Sequence, residues 1–141
     1  MKSVLADDPV WFACDVGKED YNAEGIMALN IYDYDKIYNT TFNMPKSDLI
    51  YMEQISPNHA MAFVGVDTLG GKPQKWLVEN SWGDSRGDKG YWYMYNDWFD
   101  RYLFGVVVNK KYLSKDIIAQ AKKTPIELPP WDPMYALTRL K

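Results

Sequence analysis

The sequence predicts an α+β fold: an antiparallel β-sheet with short peripheral helices and an extended C-terminal tail. Three observations carry this expectation. Short apolar runs alternate with a period of two, aromatic residues are abundant, and four of the eight prolines fall between residues 125 and 133. A period of two places alternate side chains on opposite faces of a strand. Eleven Tyr, six Trp and five Phe suit pleated, half-buried surfaces. Closely spaced prolines cannot pair as a central strand.

The elements follow in order. Residues 9–17 alternate, with Val10, Phe12, Cys14 and Val16 on one face and Trp11, Ala13 and Asp15 on the other, so they read as a strand closed by Gly17. Residues 21–42 are irregular and rich in Asn, Asp and Tyr, and read mostly as loop. Pro45 suits the first turn of a short helix that runs to about Glu53. His59 opens a second strand, and residues 60–66 are nearly unbroken small or apolar side chains, which predicts burial on both faces. Gly70-Gly71 and Pro73 mark a turn, and residues 75–79 return as a third strand.

Residues 80–90 hold three Gly and two Asp, the composition of a surface loop. Residues 91–95 read as a fourth strand, 97–102 as a helical turn and 105–109 as a fifth strand. Ser114 is a fitting N-cap for a helix to about Lys123, which Pro125 stops. The chain thus divides into a β-rich domain, residues 1–124, and a Pro-rich tail, residues 125–141.

Composition narrows the function classes. At 141 residues, the chain is long enough for one domain that buries roughly two thirds of its unfolded surface. A net charge of −3, with no basic stretch interleaved with aromatics, argues against nucleic acid as a ligand. No apolar run approaches the ~20 residues of a membrane span. The single cysteine forbids an internal disulfide and points to a reducing, cytoplasmic compartment.

The single histidine stands at the mouth of the most apolar strand. Alone it reads first as a structural residue at a strand end with a hydrogen-bonded ring. A catalytic histidine needs an acceptor for one ring nitrogen and a reacting group near the other. Asn80, at the end of the next strand, is the acceptor candidate. If the two strands are antiparallel neighbours, the start of one and the end of the other share a sheet edge. The carboxamide oxygen would then accept the Nδ1 hydrogen and aim Nε2 outward. Trp82 would cover that bond and exclude water, which strengthens it. Asn80-Ser81-Trp82-Gly83 taken alone reads first as an ordinary strand end entering a turn.

These segments together resemble a known family. His59-Ala60-Met61, then Trp76-Leu77-Val78-Glu79-Asn80-Ser81-Trp82-Gly83, then Lys89-Gly90-Tyr91, are similar to the second half of papain-like cysteine peptidases. The narrower match is to the bleomycin hydrolase and aminopeptidase C family. Asp8-Pro9-Val10-Trp11-Phe12, Cys14-Asp15-Val16-Gly17, Tyr32-Asp33-Tyr34 and Pro130-Trp131-Asp132-Pro133-Met134 resemble that family's segments in its order. The fold implied is the β half of the papain-like architecture.

The resemblance implies that His59 is the general base and acid, Asn80 its orienting partner and Trp82 a hydrophobic shield. It implies peptide substrates, no cofactor and no metal, and a homo-oligomeric, hexameric whole enzyme. The nucleophile has no counterpart. In the family that cysteine begins a helix and is followed by tryptophan, whereas Cys14 lies in a strand pattern and is followed by Asp15. The partner implied is therefore a cysteine-bearing N-terminal half. Family members end shortly after a Trp-Asp-Pro-Met-x-Ala-Leu segment, whose terminal carboxylate holds a substrate's α-ammonium. The resemblance thus makes Met134, Tyr135, Ala136 and Leu137 a substrate-gating tail, with Thr138-Arg139-Leu140-Lys141 extending beyond it. Two other readings stand beside this one: a non-catalytic papain-like module that binds a peptide or protein, and a carbohydrate-binding β domain suggested by the Trp and Tyr content alone.

Overall fold

A computed structural model of the chain describes residues 1–138. Seven strands form one sheet in the spatial order β2-β3-β6-β5-β4-β1-β7. They are β1 (Val10–Cys14), β2 (Asp20–Tyr21), β3 (Ile26–Met27), β4 (His59–Leu69), β5 (Lys72–Glu79), β6 (Tyr91–Tyr95) and β7 (Leu103–Val107). Four short helices flank the sheet: α1 (Tyr34–Tyr38), α2 (Lys46–Tyr51), α3 (Asn96–Tyr102) and α4 (Lys115–Gln120). The fold class is α+β, as the alternation predicts.

The centre of the sheet is the β4–β5 hairpin. Gly70 and Gly71 close it with φ of 58° and 75°, the double positive φ of the tight turn whose twist matches the flanking strands. Leu69 and Lys72 pair directly across that turn. On the other side, β1 pairs with β4 and brings Val10, Phe12 and Cys14 opposite Phe63, Met61 and His59. The predicted face of β1 is therefore the core face. Val10, Phe12, Cys14, Met61, Phe63, Trp76, Val78, Trp92 and Met94 are all buried along it. The rings of Phe12 and Phe63 stack with centroids 3.9 Å apart.

Four expectations need correction. First, β4 is not buried on both faces: of residues 60–66 only Met61 and Phe63 are fully buried. Its second face belongs to the open side of the sheet, where Trp11 pairs with Ala62 and Val107 and is 61% exposed. Second, the region read as loop contains β2, β3 and α1. Two-residue strands are too short to show a period, and β3 pairs with the distant β6, in parallel. The sheet is thus mixed, with one parallel pair among antiparallel ones.

Third, Asp15 does not continue outward from Trp11 and Ala13. The strand stops at Cys14, the pairing with β7 shifts register between Ala13 and Cys14, and Asp15 is buried with 4% exposure. Fourth, the tail is without regular structure over residues 124–129 but then closes into a 3-10 turn, Pro133–Thr138. Asp132 starts that turn by accepting from the Met134 amide, and Pro133 has the fixed φ that a helical start needs. Residues 139–141, the end of the tail segment, lie outside the described residues.

Two of these helices, α1 and α4, start at a side-chain cap. Ser114 accepts from the Ile117 amide and starts α4, as expected, and Asp33 does the same for α1 through the Lys36 amide. Helix α2 is pinned to the sheet by Lys46, whose ammonium donates to the carbonyls of Asp100 and Leu103 at the end of α3. No described helix is long and apolar enough to cross a membrane.

Candidate functional site

The site is the polar end of the core stripe. Alternate residues of β5 face the core, from Trp76 through Val78, and the same parity carries on to Asn80 and Trp82. On β4 the inward residues Phe63 and Met61 lead to His59. The last ladder pair at this end is Ala62 with Glu79. Continuing that register sets Asn80 level with Met61 and Trp82 level with His59. Strand periodicity alone therefore aims all three side chains to one face at one sheet edge.

Their contacts fit that placement. The His59 ring stacks on Trp82 with centroids 4.8 Å apart and planes 28° apart. The His59 Nε2 lies 2.8 Å from the Asn80 Oδ1. The same oxygen accepts from the Ser81 amide at 2.8 Å. That second bond fixes the amide's orientation, since a flipped carboxamide would set its NH2 group against a backbone N–H. An oxygen can only accept, so His59 Nε2 carries a proton, and in the neutral ring Nδ1 keeps its lone pair. A neutral imidazole with a free Nδ1 lone pair is chemically able to accept a proton.

The nitrogen that meets Asn80 is thus Nε2, the reverse of the Nδ1 expected from the sequence. The reason is reach. Asn80 stands about two residues along the strand direction from His59, some 6–7 Å away, and only the distal ring nitrogen spans that offset.

Trp82 is itself supported. Its ring meets that of Trp92 edge-on at 5.4 Å, and the Arg86 guanidinium sits 5.5 Å from its centroid. Gly83 follows at φ 82°, a conformation that L side chains rarely adopt, and this lets the chain turn away from the indole. The Asn80 amide is held from the backbone as well, its N–H donating to the Gly90 carbonyl at 3.1 Å. The Asn80 Nδ2 is buried and makes no hydrogen bond among the described residues.

Cys14 pairs across the strands with His59, which makes its state decisive. It is fully buried, and burial first, then the neighbouring Asp15 charge, push its thiol up from 9.0 to about 12. At neutral pH it is a thiol, not a thiolate, and the thiolate is the attacking form. A raised pKa means that the folded state holds a proton that the unfolded state releases. The associated stability is complete below pH 9.0 and is lost as pH climbs toward about 12. Cys14 is accordingly expected to resist thiol reagents in the folded chain and to react on unfolding. Cys14→Ser is expected to cost about 1–3 kcal/mol for a hydroxyl placed in an apolar site and to flatten the alkaline loss. Denaturant titrations at neutral and alkaline pH check both. A folded chain whose Cys14 is modified as fast as a free thiol would contradict this account.

Met134, Tyr135, Ala136 and Leu137 all lie within the turn Pro133–Thr138, which packs on α2, a different element from the strands that carry His59 and Asn80. Met134 and Tyr135 are exposed there. Among the described residues no group of His, Cys, Asp and Glu could hold a metal ion. Sequence reasoning missed Trp92, Arg86 and the pair formed by buried Asp15 and exposed Asn58. The available signal was a carboxylate following an apolar strand directly.

The site thus joins a histidine, a carboxamide hydrogen-bonded to it and an indole stacked on it at one sheet edge. The model of the Peptidase C1-like family matches residues 1–135, and the chain belongs to that family. It is similar to bleomycin hydrolase of Gallus gallus, with 41% identity covering 97% of this chain and 31% of the relative. It is likewise similar to aminopeptidase C of Lactobacillus helveticus, with 39% identity over 97% of this chain and 31% of the relative. Among solved structures, that of PepW from Lactobacillus rhamnosis superposes with a TM-score of 0.86 at 43% identity, covering 96% of this chain and 31% of the other. The chain therefore spans about a third of the length of these relatives.

Proposed function

We propose that this chain is the C-terminal portion of a cysteine aminopeptidase and supplies its general base and acid, His59, with Asn80 as the orienting group and Trp82 as the cover. The observation that carries the reading is the 2.8 Å contact between His59 Nε2 and an Asn80 oxygen whose acceptor role Ser81 fixes. It leaves Nδ1 as the nitrogen that takes a thiol proton.

The nucleophile comes from a segment outside this chain, because Cys14 is buried and protonated. His59 Nδ1 accepts the proton of that external thiol, giving a thiolate and an imidazolium. Asn80 stabilises the imidazolium through Nε2 without placing a negative charge beside the thiolate. The thiolate adds to the peptide carbonyl, and the imidazolium donates its proton to the departing amine as the C–N bond breaks. Water, deprotonated by the same nitrogen, then releases the acid and restores the thiol. Trp82 keeps bulk water off the His59–Asn80 bond. The relatives' names carry the aminopeptidase part of the reading, and the turn bearing Met134, Tyr135, Ala136 and Leu137 is the segment that would restrict attack to free N-termini.

Joining this chain to a cysteine-bearing N-terminal segment, in one polypeptide or as a mixture, tests the reading. The expected result is thiol-dependent release of N-terminal residues by the assembly, none by either part alone, and none from N-blocked peptides. A folded assembly that cleaves no peptide would leave a non-catalytic binding module as the function.

A further inference from the structure

The backbone that delivers His59 is tied to β1 by a polar cluster that runs from buried Asp15 and Ser56 to exposed Asn58. Asp15 accepts from the Ser56 amide at 3.2 Å through Oδ2 and from Asn58 Nδ2 at 2.7 Å through Oδ1. Asn58 accepts from the Val16 amide at 2.8 Å and donates to the Val16 carbonyl at 3.3 Å, while its own amide donates to the Cys14 carbonyl at 3.0 Å. The Asp15 amide donates to the Tyr102 carbonyl at 3.0 Å. Asp15 and Ser56 are buried, at 4% and 6% exposure. The residue that makes most of these bonds, Asn58, is the one immediately before the histidine.

We propose that Asp15 is a positioning residue for His59, acting through Asn58 to set the backbone from which the ring reaches Asn80. The chemistry of the pair is directional. The Val16 amide requires an oxygen from Asn58, so the Asn58 NH2 must point at Asp15, and only an acceptor fits there. A carboxylate at residue 15 offers one oxygen to Asn58 and the other to Ser56. Asparagine at residue 15 has one acceptor oxygen: given to Ser56 it sets an NH2 group against that of Asn58, and given to Asn58 it sets an NH2 group against the Ser56 N–H, so one of the two bonds is lost either way. Because Nε2 meets Asn80 across an offset of two residues, a small shift of the His59 backbone takes the ring out of reach.

The ring itself is the probe, since the chain holds one histidine. Well above the ordinary imidazole pKa of about 6.5, the ring 15N signals distinguish a single Nε2–H tautomer from a mixture. The native chain is expected to show the single tautomer. Asp15→Asn is expected to lose it, and the reciprocal double variant Asp15→Asn with Asn58→Asp, which restores a donor facing an acceptor between the two side chains and gives up only the 3.3 Å bond to the Val16 carbonyl, is expected to regain it. Where Asp15→Asn does not fold, Asn58→Ala, which leaves the Asp15–Ser56 bond intact, is expected to show the same loss. The enzymatic arm rests on the function proposed above: in the assembly with the cysteine segment, kcat is expected to fall about 10–100-fold at unchanged KM and to recover in the double variant. An assembly inactive even with the native chain would count against the proposed function, while the ring signals would still judge Asp15. A folded Asp15→Asn or Asn58→Ala chain with native ring signals overturns the proposal, as does a double variant that folds without regaining them.

Discussion

Replacing His59 by alanine is expected to lower kcat about 10²–10⁴-fold in the cysteine-bearing assembly, the range that a positioned general acid–base group supplies. Two steps lose their proton carrier at once. The external thiol is no longer deprotonated, and the leaving amine is no longer protonated. The fold is expected to survive, because Asn80 Oδ1 keeps its bond from the Ser81 amide and Trp82 keeps its edge contact with Trp92. Single-turnover kinetics with an N-terminally unblocked peptide, run beside circular dichroism, separate the chemistry from the folding. A folded His59→Ala assembly within about threefold of native turnover would remove the imidazole from the mechanism. Asn80→Ala is the milder companion, since it frees the ring to turn without deleting it.

The parts of the molecule legible in the sequence are those governed by the period of two. The inward stripe Val10, Phe12 and Cys14, the strand beginning at His59 and the strand Tyr91–Tyr95 all follow from it. Because the site is the polar end of the same stripes, the meeting of His59, Asn80 and Trp82 could be read from alternation and one antiparallel pairing. What alternation does not encode was missed. The two-residue strands β2 and β3 have no period of their own, and their pairing with β6 is a long-range choice. The burial of Asp15 follows from where β1 stops, which depends on the register shift against β7. The ring nitrogen that meets Asn80 is a matter of a two-residue offset, a distance that residue types alone do not carry.

The supports beneath the site are the same residues that hold the core, so stability and alignment are coupled at Trp92. Its side chain is fully buried, flanked on its strand by the inward Met94 and capped edge-on by Trp82. Trp92→Ala is expected to cost about 3–5 kcal/mol, the usual range for removing a large aromatic from a packed core. The indole Nε1 is buried without a hydrogen bond among the described residues. Trp92→Phe therefore gives up volume but no polar partner and relieves an unsatisfied donor, so its expected cost is smaller, about 1–2 kcal/mol. Denaturant unfolding reads both as a lowered midpoint at constant slope. A cycle combining Trp92→Ala with Trp82→Ala is expected to show coupling of about 0.5–1.5 kcal/mol, the worth of an aromatic pair beyond its buried area. Additive costs would mean that the indole over His59 stands independently of the core, and the order of the His59 ring would then have to come from Asn80 and its own backbone alone.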